Sequence, residues 1–140
     1  AVENEGFKIV PGASEAKDPV VTVEAGSEKC YVYVCVDNQL VIGGVTVGIL
    51  DIDPQQWQNV GTNGTKTVYR YAEEVDAATA DKELPVFTTV TYADTITAET
   101  ISSLNGKSIV ISAYAHQSEN VTEGTAVTDT EALEHFGISN

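Results

Sequence analysis

Two cysteines, two histidines and a closely spaced pair of aspartates are the residues of this 140-residue chain whose types suit chemistry. Both cysteines lie in one run, "CYVYVCV" at 30–36. Cys30, Val32, Val34 and Val36 share one parity; Tyr31, Tyr33 and Cys35 share the other. β-Branched and aromatic residues at a period of two read as a strand, and opposite parities of a strand point to opposite faces. Five residues of strand span roughly 17 Å, whereas a disulfide needs Cα atoms within about 7 Å. Cys30 and Cys35 therefore do not bridge one another. Their spacing also departs from the CxxC pair of metal and redox sites. Cys30 reads as a small buried hydrophobe, while Cys35, among tyrosines on the other face, is left open to exposure and an intermolecular role.

His116 and His135 do not make a zinc motif. No HExxH occurs, and the nearest string, "EHFG", lacks the second histidine four residues on. His116 falls near the end of an expected strand. His135 falls in the last turn of an expected helix, where a cation complements the helix dipole. Asp51 and Asp53 in "DIDP" place two carboxylates on one face of an extended segment, a candidate for weak Ca²⁺ binding. They match no EF-hand spacing, and capping of a turn before Pro54 is the simpler reading. No GxSxG elbow marks a nucleophilic serine. Glu73-Glu74 reads as a solvated pair. Tyr69, Tyr71, Tyr92 and Tyr114 suit either half-buried strand positions or a sugar-binding strip. No catalytic residue, metal ligand or cofactor is assigned, and the chain is not read as an enzyme.

The elements that hold these residues are short and closely punctuated by turns. "DPVVTVEAGS" gives a strand at Val20–Glu24, and the cysteine strand runs over about Lys29–Asp37. "QLVIGGVTVGILDID" is apolar on both parities and broken by Gly43, Gly44 and Gly48. It reads as one bent strand or two short ones. "WQNVGTNGTKTVYRY" is a hairpin, Trp57–Val60 and Thr65–Tyr71 around Gly61-Thr62-Asn63-Gly64. "LPVFTTVTY" (Leu84–Tyr92) and "KSIVISAYAHQ" (Lys107–Gln117) read as strands. "TAETISSLNG" (Thr97–Gly106) reads as a short helix with Gly106 near its C-cap. "TDTEALEHFG" (Thr128–Gly137) reads as another, with Thr128 and Glu131 as a capping box. About eight strands and two short helices predict an all-β fold, a jelly-roll-like β-sandwich forming one domain over 1–140.

Charge narrows the partners. The net charge is −14 and the isoelectric point near 4.2, a surface that repels nucleic-acid phosphates and anionic membranes. No segment reaches the roughly 20 apolar residues of a membrane-spanning helix. The chain starts at Ala1 rather than at methionine, as a processed product or a trimmed chain would, and the expectation is that any signal peptide has been removed.

"VPGASEAKDPVVTVEAGSEKCYVYVCV" resembles the start of the mature domain of the TasA/camelysin group, secreted proteins of Gram-positive bacteria released by the signal peptidase SipW. Trp57 with "YRY" at 69–71, "LPVFTTVTY" and "GKSIVISAYAHQ" extend the resemblance over most of the chain. These motifs are structural rather than catalytic. The resemblance implies a jelly-roll-like sandwich, export, and an extracellular or cell-surface location. In that group some members assemble into biofilm fibres by lending an N-terminal strand to the next subunit, and others have been classed as metallopeptidases.

The expected function is thus a non-enzymatic structural protein of the cell surface or biofilm matrix, with copies of itself or related matrix subunits as partners. Phe7, Lys8, Ile9 and Val10, within residues 1–10, are the candidate exchange strand. The alternative is an extracellular carbohydrate- or ligand-binding module. A hydrolase comes third, and convergent histidine and carboxylate groups in a pocket would favour it.

Overall fold

The computed structural model describes residues 14–16, 19–104, 107, 109–117 and 125–138. In chain order its strands are β1 (Ser14–Ala16), β2 (Val20–Val23), β3 (Cys30–Asn38), β4 (Val41–Ile42), β5 (Val45–Thr46), β6 (Gly48–Leu50), β7 (Trp57–Asn63), β8 (Lys66–Tyr71), β9 (Lys82–Pro85), β10 (Thr89–Tyr92) and β11 (Ile109–Gln117). Two short helices join them, α1 (Ala98–Ile101, prolonged by a 3-10 turn at Ser102–Leu104) and α2 (Thr125–His135). The fold is all-β, and every strand pairing described is antiparallel.

β3 forms the spine. It is paired along its whole length with β11, from Cys30 opposite Gln117 to Asn38 opposite Ile109. On its other side it pairs with β8, which carries β7. The four make one sheet in the order β11-β3-β8-β7. A second sheet has the order β1-β10-β6, and β2-β9 and β4-β5 are two-stranded pairs.

The alternation in "CYVYVCV" places its two parities in two separate cores. Cys30, Val32, Val34 and Val36 pack with Leu84, Val90 and Tyr92 of the facing strands and with Trp57, Ile109 and Ile111. Tyr33 and Cys35 join Val68, Ala132, Leu133 and Ile138 in the other cluster. The four-stranded sheet is therefore covered on both faces, by strands on one and by α2 on the other. That is why β3 is apolar at both parities; a strand with one solvated face alternates apolar with polar. Cys35 is accordingly as buried as Cys30, at 5% and 4% exposure, and both thiols are free. Burial, reinforced by Glu74, raises the pKa of Cys30. Burial also raises that of Cys35, with Lys66 opposing and Asp37 adding. Since the thiolate is the reactive form, neither cysteine should react with a thiol reagent in the native protein, and both should react in denaturant. Prompt labelling of Cys35 in the folded state would show that α2 does not cover it.

The elements depart from the sequence reading where glycine, loop geometry or packing intervenes. "QLVIGGVTVGILDID" forms three short strands rather than one or two. Its Gly43-Gly44 turn between β4 and β5 has φ of +58° and +81° at the two residues, the pair of positive values that two-residue hairpin turns require. Gly48 is needed for space: a Cβ there would lie 2.6 Å from Leu40 Cδ1. The Trp57 hairpin extends to Asn63 and Lys66, and the extra residue at Val60 is absorbed as a bulge between Asn59 and Gly61. "LPVFTTVTY" divides into β9 and β10. The helix expected from Thr128 starts at Thr125, so Thr128 is no cap but a fully buried residue.

Candidate functional site

A groove of about 1030 Å³ is lined by residues of β3 to β8 and the turns between them. β7 and β8 form its floor through Asn59, Thr62, Thr67 and Tyr69, with Val36 of β3 behind them. The β4-β5 hairpin and β6 form the opposite wall. Strand alternation places the floor residues on one face. Asn59 lies opposite Tyr69 and Thr62 opposite Thr67, beyond the bulge that restores the register. Their polar atoms are linked: Asn59 Nδ2 donates to Thr62 Oγ1 at 3.3 Å, and the Thr62 hydroxyl donates to that of Thr67 at 3.3 Å.

Two features give the groove its character. None of its lining residues is charged, although the chain carries 21 aspartates and glutamates. It also runs between two sheet edges. Among the described residues, β6 has a strand partner only in β10, and β7 only in β8. Ile49 of β6, one of the large apolar side chains most exposed to water, stands at this wall at 53%. Compared with family models, curated proteins and solved structures, the chain matches none.

The residues singled out by sequence are scattered through the fold. Phe7, Lys8, Ile9 and Val10 lie outside the described residues. The four tyrosines do not form a strip: Tyr69 lines the groove, Tyr71 meets Trp57 edge-on at 5.1 Å, Tyr92 is buried, and Tyr114 packs towards α2. Glu73 and Glu74 are exposed. Asp51 and Asp53 serve turns. Asp53 Oδ1 accepts from Gln55 N at 2.8 Å, capping the turn that leads into β7. Asp51 Oδ1 accepts from Thr88 N at 2.7 Å and Thr89 N at 3.0 Å, and the Thr88 hydroxyl donates to Oδ2. Asp51 thereby ties the end of β6 to the start of β10.

Desolvation pushes the Asp51 carboxyl up, but the bonds from Thr88 and Thr89 outweigh it and hold the pKa down at about 2, against an ordinary 3.8. A depressed carboxyl stabilises the fold at pH values above its unfolded pKa, and that stability is lost as pH falls through the folded value. Asp51→Ala should therefore lower stability at neutral pH, by no more than about 1 kcal/mol because the clasp is open to solvent. It should also flatten the acid limb between about pH 4 and pH 2. Denaturant unfolding across that range checks this, and an unchanged acid limb would contradict it.

The histidines take part in a different arrangement, where α2 meets the sheet. Tyr33 of β3, Arg70 of β8 and Gln58 of β7 occupy successive register positions across three strands. Asp129 of α2 reaches down to them. The Tyr33 hydroxyl donates to Asp129 Oδ1 at 2.5 Å and lies 2.6 Å from Thr128 Oγ1. Arg70 Nη1 donates to Asp129 Oδ2 at 2.6 Å and Nη2 to Gln58 Oε1 at 2.6 Å. Further along the helix, Glu131 contacts His116, and His135 stacks on Tyr114 with centroids 4.3 Å apart. Burial and the hydrogen bond to Asp129 raise the Tyr33 pKa strongly, so this phenol remains a donor. Sequence reasoning missed the network. Its one signal was Arg70, the single arginine of the chain, in the otherwise uncharged "TVYRY".

Proposed function

We infer that the chain is a secreted, non-enzymatic structural subunit of a cell surface or extracellular matrix. In this reading it assembles with copies of itself or with related subunits by accepting an extended strand in the groove between β6 and β7. The groove carries the reading: uncharged, and set between two singly paired strands in a strongly acidic chain. An added strand gains backbone hydrogen bonds from a sheet edge, and its alternate side chains fill the groove. Phe7, Lys8, Ile9 and Val10, which carry three apolar side chains among four residues, supply the donor in this reading. Export and a jelly-roll order of strands rest on the resemblance described above. The non-enzymatic reading is supported by the placement of both histidines in the packing of α2 and of Asp51 in a backbone clasp.

A head-to-tail contact that does not close into a ring gives a filament. With net charge −14, subunits repel one another until salt shortens the screening length, from about 10 Å at 0.1 M to about 3 Å at 1 M. Assembly of the intact chain, followed by sedimentation and electron microscopy, should rise with salt and with acidification. Removing residues 1–10 should abolish fibres and leave the domain folded. Fibres formed by the truncated chain would rule out this donor.

A further inference from the structure

Both histidines of the chain stand at the same seam, between α2 and β11, and each meets a partner suited to a cation. His116 Nε2 contacts the Glu131 carboxylate, with the side chains 22% and 48% exposed. His135, in the last turn of α2, stacks on the Tyr114 ring at 4.3 Å and 23°. Tyr114 also meets His116 edge-on at 6.2 Å. Tyr31 of β3 is the register partner of His116, Phe136 abuts His135, and Glu131 and Glu134 lie within the same turn of helix as His135. Further along the seam stands the Asp129–Arg70 pair. A proton on His116 turns its contact with Glu131 into an ion pair. A proton on His135 sets a cation against the negative end of the helix and over an aromatic face. Both changes favour the docked helix.

We propose that His116 and His135 form a latch that tightens the docking of α2 on the sheet as the solution is acidified through the range in which histidine gains its charge, about pH 8 to pH 5. What the latch controls is access to the second apolar face of the sheet, Tyr33, Cys35 and Val68, which α2 covers. Ordinary carboxylates titrate near pH 4 and lie outside this window. The device is separate from the groove, on the opposite face of the same sheet.

Amide hydrogen exchange of the intact chain tests it, with rates corrected for intrinsic pH dependence and β3 as the internal reference. Protection of the α2 amides relative to β3 should rise roughly fivefold between about pH 8 and pH 5. His116→Gln/His135→Gln, which keeps hydrogen-bonding groups but cannot charge, should lose the rise. Should the double variant fail to protect β3, His135→Gln alone, at an exposed position, should show a smaller rise than the wild type. A wild-type helix whose relative protection is flat or falls on acidification would overturn the proposal. So would the full rise persisting in the glutamine variants.

Discussion

Asp129→Ala should cost about 2–3 kcal/mol of unfolding free energy. The carboxylate takes a proton donor from Arg70 and another from Tyr33, so its removal leaves a guanidinium and a phenol short of a partner in one step. Breaking a fully buried ion pair from one side costs about 3–5 kcal/mol. Here the side chains of Arg70 and Asp129 keep 14% and 22% exposure, and water compensates part of the loss. Arg70→Ala should cost about as much. The Arg70→Ala/Asp129→Ala double variant should cost clearly less than the sum of its single changes, by about 1–2 kcal/mol, because neither charge is then stranded. Chemical denaturation of the four proteins measures this coupling. Additive costs would mean that Asp129 and Arg70 act independently, and a cost below about 0.5 kcal/mol for Asp129→Ala would mean that α2 is held by its apolar residues alone.

Trp57→Ala should be the more damaging change, at about 3–5 kcal/mol. Trp57 is 1% exposed. Its ring packs on Tyr71, and its indole N–H donates to the Pro85 carbonyl at 2.8 Å. It thus joins β7, at the edge of the four-stranded sheet, to β9 in the strands facing it, and no smaller residue does both. Trp57→Phe separates the two contributions. It keeps most of the packing and leaves Pro85 O without its donor, for a loss of about 1–2 kcal/mol. With a total stability of about 5–15 kcal/mol, the alanine variant should show a much lower melting temperature, or not fold. A phenylalanine variant as unstable as the alanine variant would show that the hydrogen bond, not the ring, dominates.

The strands were legible wherever one local rule applied without competition. Parity in "CYVYVCV" placed β3, and the Asn-Gly turn placed the hairpin of β7 and β8. The capping box at the start of α1, where the Thr97 hydroxyl accepts from Thr100 N and the Thr100 hydroxyl accepts from Thr97 N, is equally local, yet the sequence reading did not include it. What could not be read depends on neighbours distant in sequence. Thr128 and Glu131 have the spacing of a capping box, but Tyr33, 95 positions away, draws Thr128 into the interior, and His116 takes Glu131. Nothing local tells a capping threonine from one that hydrogen-bonds a buried tyrosine. The burial of Cys35 is hidden for the same reason: it depends on Ala132 and Leu133 of a helix almost a hundred residues later. The groove was also hidden, since its floor comes from β7 and β8 and its wall from β4, β5 and β6. Alternation in "TNGTKTVY" did align Thr62, Thr67 and Tyr69, but it carried no sign of what would face them.

The acceptor groove is tested most directly by amide hydrogen exchange of the intact chain, as monomer and as assembly grown at high salt. A strand added in the groove must hydrogen-bond to the outer side of β6, β7 or both, where among the described residues neither has a second strand partner, so exchange there should slow by at least tenfold on assembly. The amides of Gly48–Leu50 and Trp57–Asn63 should show this gain, while β3, already paired on both sides, should change little. Assembly that protects neither β6 nor β7, or a chain that stays monomeric at every salt concentration and pH, would contradict the account.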